Sequence, residues 1–138
     1  MTPSAHHVGV TVADLERAVE FYRDVLGLEV VDRFTVSGEA FGAAVGVEGA
    51  TGNFVHLDAD GARIELIEYE PEGEERAASN VNQPGATHVG LAVPDLDEFY
   101  ESLSEEVESL SEPRTTESGT RILFVRDPEG ALVELLEA

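Results

Sequence analysis

His7, Glu65, His88 and Glu134 are the residues whose types and spacing point to chemistry. They recur in matched contexts. His7-Val8-Gly9-Val10-Thr11-Val12-Ala13-Asp14-Leu15 returns 81 residues later as His88-Val89-Gly90-Leu91-Ala92-Val93-Pro94-Asp95-Leu96. Asp60-Gly61-Ala62-Arg63-Ile64-Glu65-Leu66-Ile67-Glu68 returns as Glu129-Gly130-Ala131-Leu132-Val133-Glu134-Leu135-Leu136-Glu137. Each half thus begins a strand with a His and ends one with a Glu. Two imidazoles and two carboxylates are borderline-hard ligands for one divalent ion. They suit Zn, Ni, Co, Mn or Fe(II) better than Cu(I) or Ca. On an octahedral ion they leave two neighbouring positions, room for both oxygens of a hydroxy-ketone or enediolate. Such an ion acts as a Lewis acid on a carbonyl. A carboxylate that loosens from it can serve as base.

Strand geometry selects among neighbours. His6 and His7 would face opposite ways in a strand. Only His7 aligns with His88, so His6 is expected on the other face with a structural role at most. Likewise Glu65, not Glu68, aligns with Glu134. Glu65 lies between Ile64 and Leu66, and Glu134 between Val133 and Leu135. Each carboxylate is therefore expected opposite its apolar neighbours. Two plainer readings compete: a solvated Glu on an amphipathic edge strand, and a duplication that keeps matched residues without metal.

The elements that must position these residues also repeat. Residues 5–12 read as a strand. Asp14 offers an N-cap for a helix over about 14–26, with Gly27 as its stop. Three or four strands are expected, over about 28–36, 40–47, 53–58 and 62–69, with Asp60-Gly61 as a hairpin turn. A polar linker over 71–85 separates a first module, 1–70, from a second, 86–138. The second repeats the order: strand 87–93, helix 95–106, then strands near 108–117, 120–126 and 131–137. Phe21, Tyr22, Phe99 and Tyr100 lie on the matched helices, where core packing is their expected use. Phe41 to Val47 and Phe54 are candidates to line a cavity. Glu105 to Glu112 reads as a solvated face.

Composition removes several kinds of chemistry. The 138 residues include no Cys, so disulfides, thiolate ligands and Cys nucleophiles are excluded. All eight basic residues are Arg, which excludes Schiff-base chemistry on Lys. No Gly-rich phosphate loop or nucleophile elbow is present. A formal charge of −21 leaves no basic patch for nucleic acid. No apolar run approaches the roughly 20 residues of a membrane span. The N-terminus lacks the pattern of a signal peptide, so a cytoplasmic location is expected. Excess Asp and Glu without Lys resembles the proteins of salt-accumulating halophiles. Self-repulsion of this size destabilises a compact chain until salt screens it. The melting temperature is therefore expected to rise between about 0.1 and about 3 M KCl, where the Debye length falls from about 10 to under about 3 Å. No gain with salt would contradict the halophile reading.

With Ala18-Val19-Glu20-Phe21-Tyr22 and Val25-Leu26-Gly27-Leu28, the opening repeat resembles the start of the vicinal oxygen chelate (VOC) superfamily. That group includes glyoxalase I, methylmalonyl-CoA epimerase, extradiol dioxygenases and bleomycin- or fosfomycin-resistance proteins. Asp127-Pro128-Glu129-Gly130 before Val133-Glu134-Leu135 is similar to its closing signature. The resemblance implies an α+β fold of two tandem βαβββ modules forming a curled mixed sheet around a metal site. It implies metal ligands from both modules at His7, Glu65, His88 and Glu134, as in glyoxalase I and the epimerases. Extradiol dioxygenases need no acid at position 65, and bleomycin-type resistance proteins lack the metal set. Glu65 therefore tilts the reading toward a glyoxalase-I-like lyase or isomerase. Such an enzyme converts a 2-oxoaldehyde–thiol adduct to a 2-hydroxy thioester, with Glu134 or Glu65 moving the proton. An acyl-CoA epimerase of the methylmalonyl-CoA type, a metal-free small-molecule binding module and an extradiol-type dioxygenase are the alternatives. Small glyoxalases carry an Arg four residues after the first His and an Asn four after the first Glu, both for glutathione. Thr11 and Tyr69 stand there in this chain, so the resemblance stops short of that thiol. Small glyoxalases are homodimers whose metals take ligands from both subunits, and a homodimer is implied here.

Overall fold

Each half of the chain opens with a short strand that passes into a capped helix. The computed structural model describes residues 1–137. It divides into two compact units, Met1–Glu75 and a second from Arg76 onward. The final residue of the second module lies outside the described residues.

In the first unit, β1 (His7–Thr11) leads to α1 (Leu15–Glu20). Asp14 is extended and its carboxylate accepts from the Arg17 N–H, which satisfies one of the free donors at the helix start. Glu68 accepts from the Leu15 N–H at 2.8 Å. The helix widens into one π-helical turn over Phe21–Val25 and stops at Gly27, whose φ is 79°. Then come β2 (Glu29–Val36), α2 (Glu39–Val45), β3 (Thr51–Asp58) and β4 (Arg63–Glu70). The sheet order is β1-β4-β3-β2, with β1 parallel to β4 and the other pairs antiparallel. Asp60 and Gly61 have positive φ and form the two-residue turn of the β3–β4 hairpin, closed by Ala59 N–H to Ala62 O. Val19, Tyr22, Leu57 and Leu66 are fully buried in this unit's core.

The second unit repeats the plan. It comprises β5 (His88–Ala92), α3 (Leu96–Ser102), β6 (Arg114–Thr115), β7 (Arg121–Arg126) and β8 (Leu132–Glu137). Its order is β5-β8-β7-β6. Asp95 caps α3 through the Glu98 N–H, and Glu137 accepts from the Leu96 N–H at 2.7 Å, matching Glu68. The two Glu residues that sequence alignment set aside from the site therefore hold helix starts. Arg121 binds Asp97 through two nitrogens and holds its carboxyl below the usual carboxylate range. Both groups are exposed, so this tie between β7 and α3 contributes little stability. The strands thus form two four-stranded mixed sheets, one per unit and neither closed, as tandem βαβββ modules require.

Three local expectations are corrected. The strand expected over 40–47 is the helix α2. Its Ala-rich sequence favours helix, and Gly46 ends it with φ 72°. Gly42 is needed there, because a Cβ would meet the Val47 carbonyl oxygen at 2.9 Å. The strand expected over 108–117 shrinks to the two residues of β6 and an isolated Ser109–Val125 bridge. Pro113 offers no N–H to a ladder. The helix expected over 95–106 ends at Ser102, whose hydroxyl donates to the Phe99 carbonyl instead of leaving the turn to continue. Phe21 and Tyr22 are buried as expected, whereas Phe99 and Tyr100 are only half-buried and Leu96 anchors α3. Among the described residues no helix is long and apolar enough to cross a membrane.

Candidate metal centre

The register of each sheet brings one His to one Glu. In the first unit β1 lies beside β4 with Gly9 opposite Glu65, and His7 two residues earlier on the same face. His7 Nε2 is 3.5 Å from Glu65 Oε2. In the second unit β5 lies beside β8 with Gly90 opposite Glu134. His88 Nε2 is 3.2 Å from Glu134 Oε1. Two atoms that each bind one ion at about 2.1 Å, near a right angle, lie about 3 Å apart. The second pair, at 3.2 Å, is close to that spacing, and the first, at 3.5 Å, is wider, nearer that of a tetrahedral angle. A Cβ at Gly9 or Gly90 would make ordinary contact with the carboxylate oxygen, at 3.7 or 3.9 Å, so each carboxylate lies directly beside its glycine. The donor set and the spacing of each pair fit a divalent ion.

Neither Glu is a solvated edge residue. β4 and β8 are each flanked by strands on both sides. The Glu65 side chain is 11% exposed and that of Glu134 is 20% exposed. Among the described residues no three His, Asp or Glu are grouped so as to hold an ion by themselves. Each unit supplies a pair.

His6 departs from expectation. It precedes β1, so strand alternation does not govern it, and its Nδ1 lies 2.8 Å from His7 Nδ1. For His7 Nε2 to hold an ion, the His7 ring proton would sit on Nδ1 and donate to His6.

His56, which sequence reading passed over, is the third group at Glu65. It stands directly opposite Glu65 in the β3–β4 register. Its Nε2 is 2.7 Å from Glu65 Oε2, and its Nδ1 is 3.2 Å from Arg63 Nη1. Its side chain is buried. A signal for it was present: a two-residue turn at Asp60-Gly61 sets position 56 opposite position 65. The matching place opposite Glu134 holds Phe124, whose ring meets the His88 ring at 5.0 Å.

Beside Glu65 and His56 the first sheet carries an aromatic wall. Phe34 stacks on Phe54 at 4.9 Å and meets His56 edge-on at 5.2 Å. Phe41 from α2 lies against Phe54 and stacks with Tyr69. A cleft of about 460 Å³ is lined by Phe34 and Phe54 of this wall with Asp14, Leu15, Arg33 and Glu68, among others, and includes none of His7, His56 and Glu65.

Residues 4–135 match the model of the glyoxalase/bleomycin resistance protein/dioxygenase superfamily, and the chain belongs to that superfamily. It is 30% identical to a 2-epi-5-epi-valiolone epimerase of Actinomyces, across 96% of this chain and 78% of that one. It is 27% identical to a lactoylglutathione lyase of Arabidopsis thaliana, across 95% of this chain but only 43% of the relative. A glyoxalase family protein from Bacillus cereus shares the fold with a TM-score of 0.87 at 27% identity, covering 99% of this chain and 95% of that one. The curated relatives are named as enzymes.

Proposed function

We propose that this chain is a divalent-metal-dependent lyase or isomerase resembling glyoxalase I, with His7, Glu65, His88 and Glu134 as ligands. One observation carries the reading. In each unit, at matching register, a His nitrogen faces a Glu carboxylate at ligand spacing with glycine as the carboxylate's strand neighbour. A Zn, Ni, Co, Mn or Fe(II) ion so held would polarise two adjacent substrate oxygens as a Lewis acid. Glu134 takes the proton from the carbon that bears hydroxyl and sulfur in a 2-oxoaldehyde–thiol adduct. It returns that proton to the neighbouring ketone carbon while the hydroxyl proton passes to the other oxygen, leaving a 2-hydroxy thioester. Glu134 suits this role better than Glu65, because it is more exposed and faces Phe124 where Glu65 faces His56. The ligands come from one chain or from two copies, and we propose a homodimer. A monomer by sedimentation in about 3 M KCl would exclude it.

The relative named as an epimerase favours a second reading, inversion at a carbon next to a carbonyl by the same carboxylate. Metal analysis tests the shared part. Protein purified without chelator should carry about one ion per full ligand set, and His88→Ala should lose it. Wild-type protein that neither holds nor takes up metal would overturn the proposal. Consumption of methylglyoxal with a thiol then supports the lyase, and exchange of an α-proton in deuterated water without it supports the epimerase.

A further inference from the structure

We propose that His56 is a positioning residue for Glu65, locked by Arg63 in the tautomer that donates from Nε2. The proposal rests on the reading of Glu65 as a metal ligand. Arg63 fixes the assignment. A guanidinium has donors only and does not lose its proton. His56 Nδ1, 3.2 Å from Arg63 Nη1, must therefore present its lone pair. The ring proton then sits on Nε2, which donates to Glu65 Oε2 at 2.7 Å. The other neutral tautomer would set N–H against N–H at Arg63 and a lone pair against the carboxylate. Only one neutral tautomer satisfies both contacts.

This separates His56 from His7, although their rings lie 5.8 Å apart and both approach the same carboxylate oxygen. The two His and Glu65 nevertheless do not group as three ligands of one ion. His56 cannot act as the third ligand while Arg63 occupies Nδ1, because its Nε2 carries the proton. It holds Oε2 through one lone pair and leaves the other lone pair of that oxygen, toward His7, and Oε1, beside Gly9, for the ion. Hydrogen bonds of this kind orient ligating groups.

The repeat breaks at the two positions this arrangement needs. Opposite Glu134 stands Phe124 in place of His56, and Leu132 stands where the first unit has Arg63. The first carboxylate is pinned and the second is not.

The variants follow from the second unit, whose residues already occupy these register positions. In apo protein labelled with ¹⁵N, two-bond proton–nitrogen correlation should show His56 wholly protonated on Nε2 and bare on Nδ1. Arg63→Leu should release this into a mixture of tautomers. In competition with a chromophoric chelator, His56→Phe should weaken Zn(II) binding about 10–100-fold. His56→Gln, whose amide N–H can still donate to Oε2, should restore most of it. A bare Nε2 in apo wild-type protein overturns the lock. A His56→Gln loss as deep as that of His7→Ala overturns the positioning role in favour of ligation. Unchanged Zn(II) affinity in His56→Phe overturns it as well. Wild-type protein that binds no Zn(II) instead overturns the metal reading and with it the positioning of a ligand, while the tautomer measurement still decides the lock.

Discussion

Glu134→Gln is expected to lower turnover about 10²–10⁴-fold, the usual worth of a positioned general base. The fold should survive. Gln has nearly the same shape, and the neighbours on either side, Val133 and Leu135, are buried in the core independently of the carboxylate. The amide can still face His88 Nε2 across the 3.2 Å contact. What it cannot do is accept a proton from carbon. The measurement is turnover of a methylglyoxal–thiol adduct, beside bound metal and melting temperature for the same preparation. A loss of turnover that saturating metal does not restore, with melting temperature retained, assigns the proton to Glu134. Undiminished turnover removes this residue from the mechanism. Glu65→Gln makes the contrast: it should weaken metal binding before it changes the chemical step, because His56 holds that carboxylate in place.

Leu66→Ala is expected to cost about 2–5 kcal/mol. Leu66 is fully buried on a strand with neighbours on both sides, opposite Val10 on β1 and Val55 on β3. The side chain points to the face away from Glu65. Its loss leaves a cavity that three ladder-bound strands cannot collapse to fill. Against a total stability of about 5–15 kcal/mol this is a large share. A fall in melting temperature of about 10 °C or more should follow in high-salt buffer. Val8→Ala, at a 47% exposed position on the edge strand β1, is the control and should change stability by about 0.5 kcal/mol or less. Equal shifts in the two variants would contradict the assignment of the core.

Much of the site was legible because the chain repeats itself. Aligning His7 with His88 and Glu65 with Glu134 selected His7 over His6 and Glu65 over Glu68 in the first half, and β-sheet register then placed the pairs within 3.5 Å. The helix starts at Asp14 and Asp95 and the Asp60-Gly61 turn were legible for a local reason: a short side chain or a glycine settles the backbone there by itself. α2 was misread because the short apolar stretch over 40–47 fits either period, and its Ala content and flanking glycines were the better guide. His6 was misplaced because alternation holds only inside a strand, and β1 begins one residue later.

The sequence by itself determined the fold family, the two matched His–Glu pairs and the acidic, Lys-free surface, since each follows from residue order or composition. Tertiary structure decided what surrounds each carboxylate. His56 and Arg63 reach Glu65 through the pairing of β3 with β4, whereas Phe124 and Leu132 occupy the corresponding places in the second unit. The reason is physical. Repeats and caps are properties of the chain read along its length, while the partners of a buried polar group come from strands paired across a sheet, where neighbours in space are remote in order.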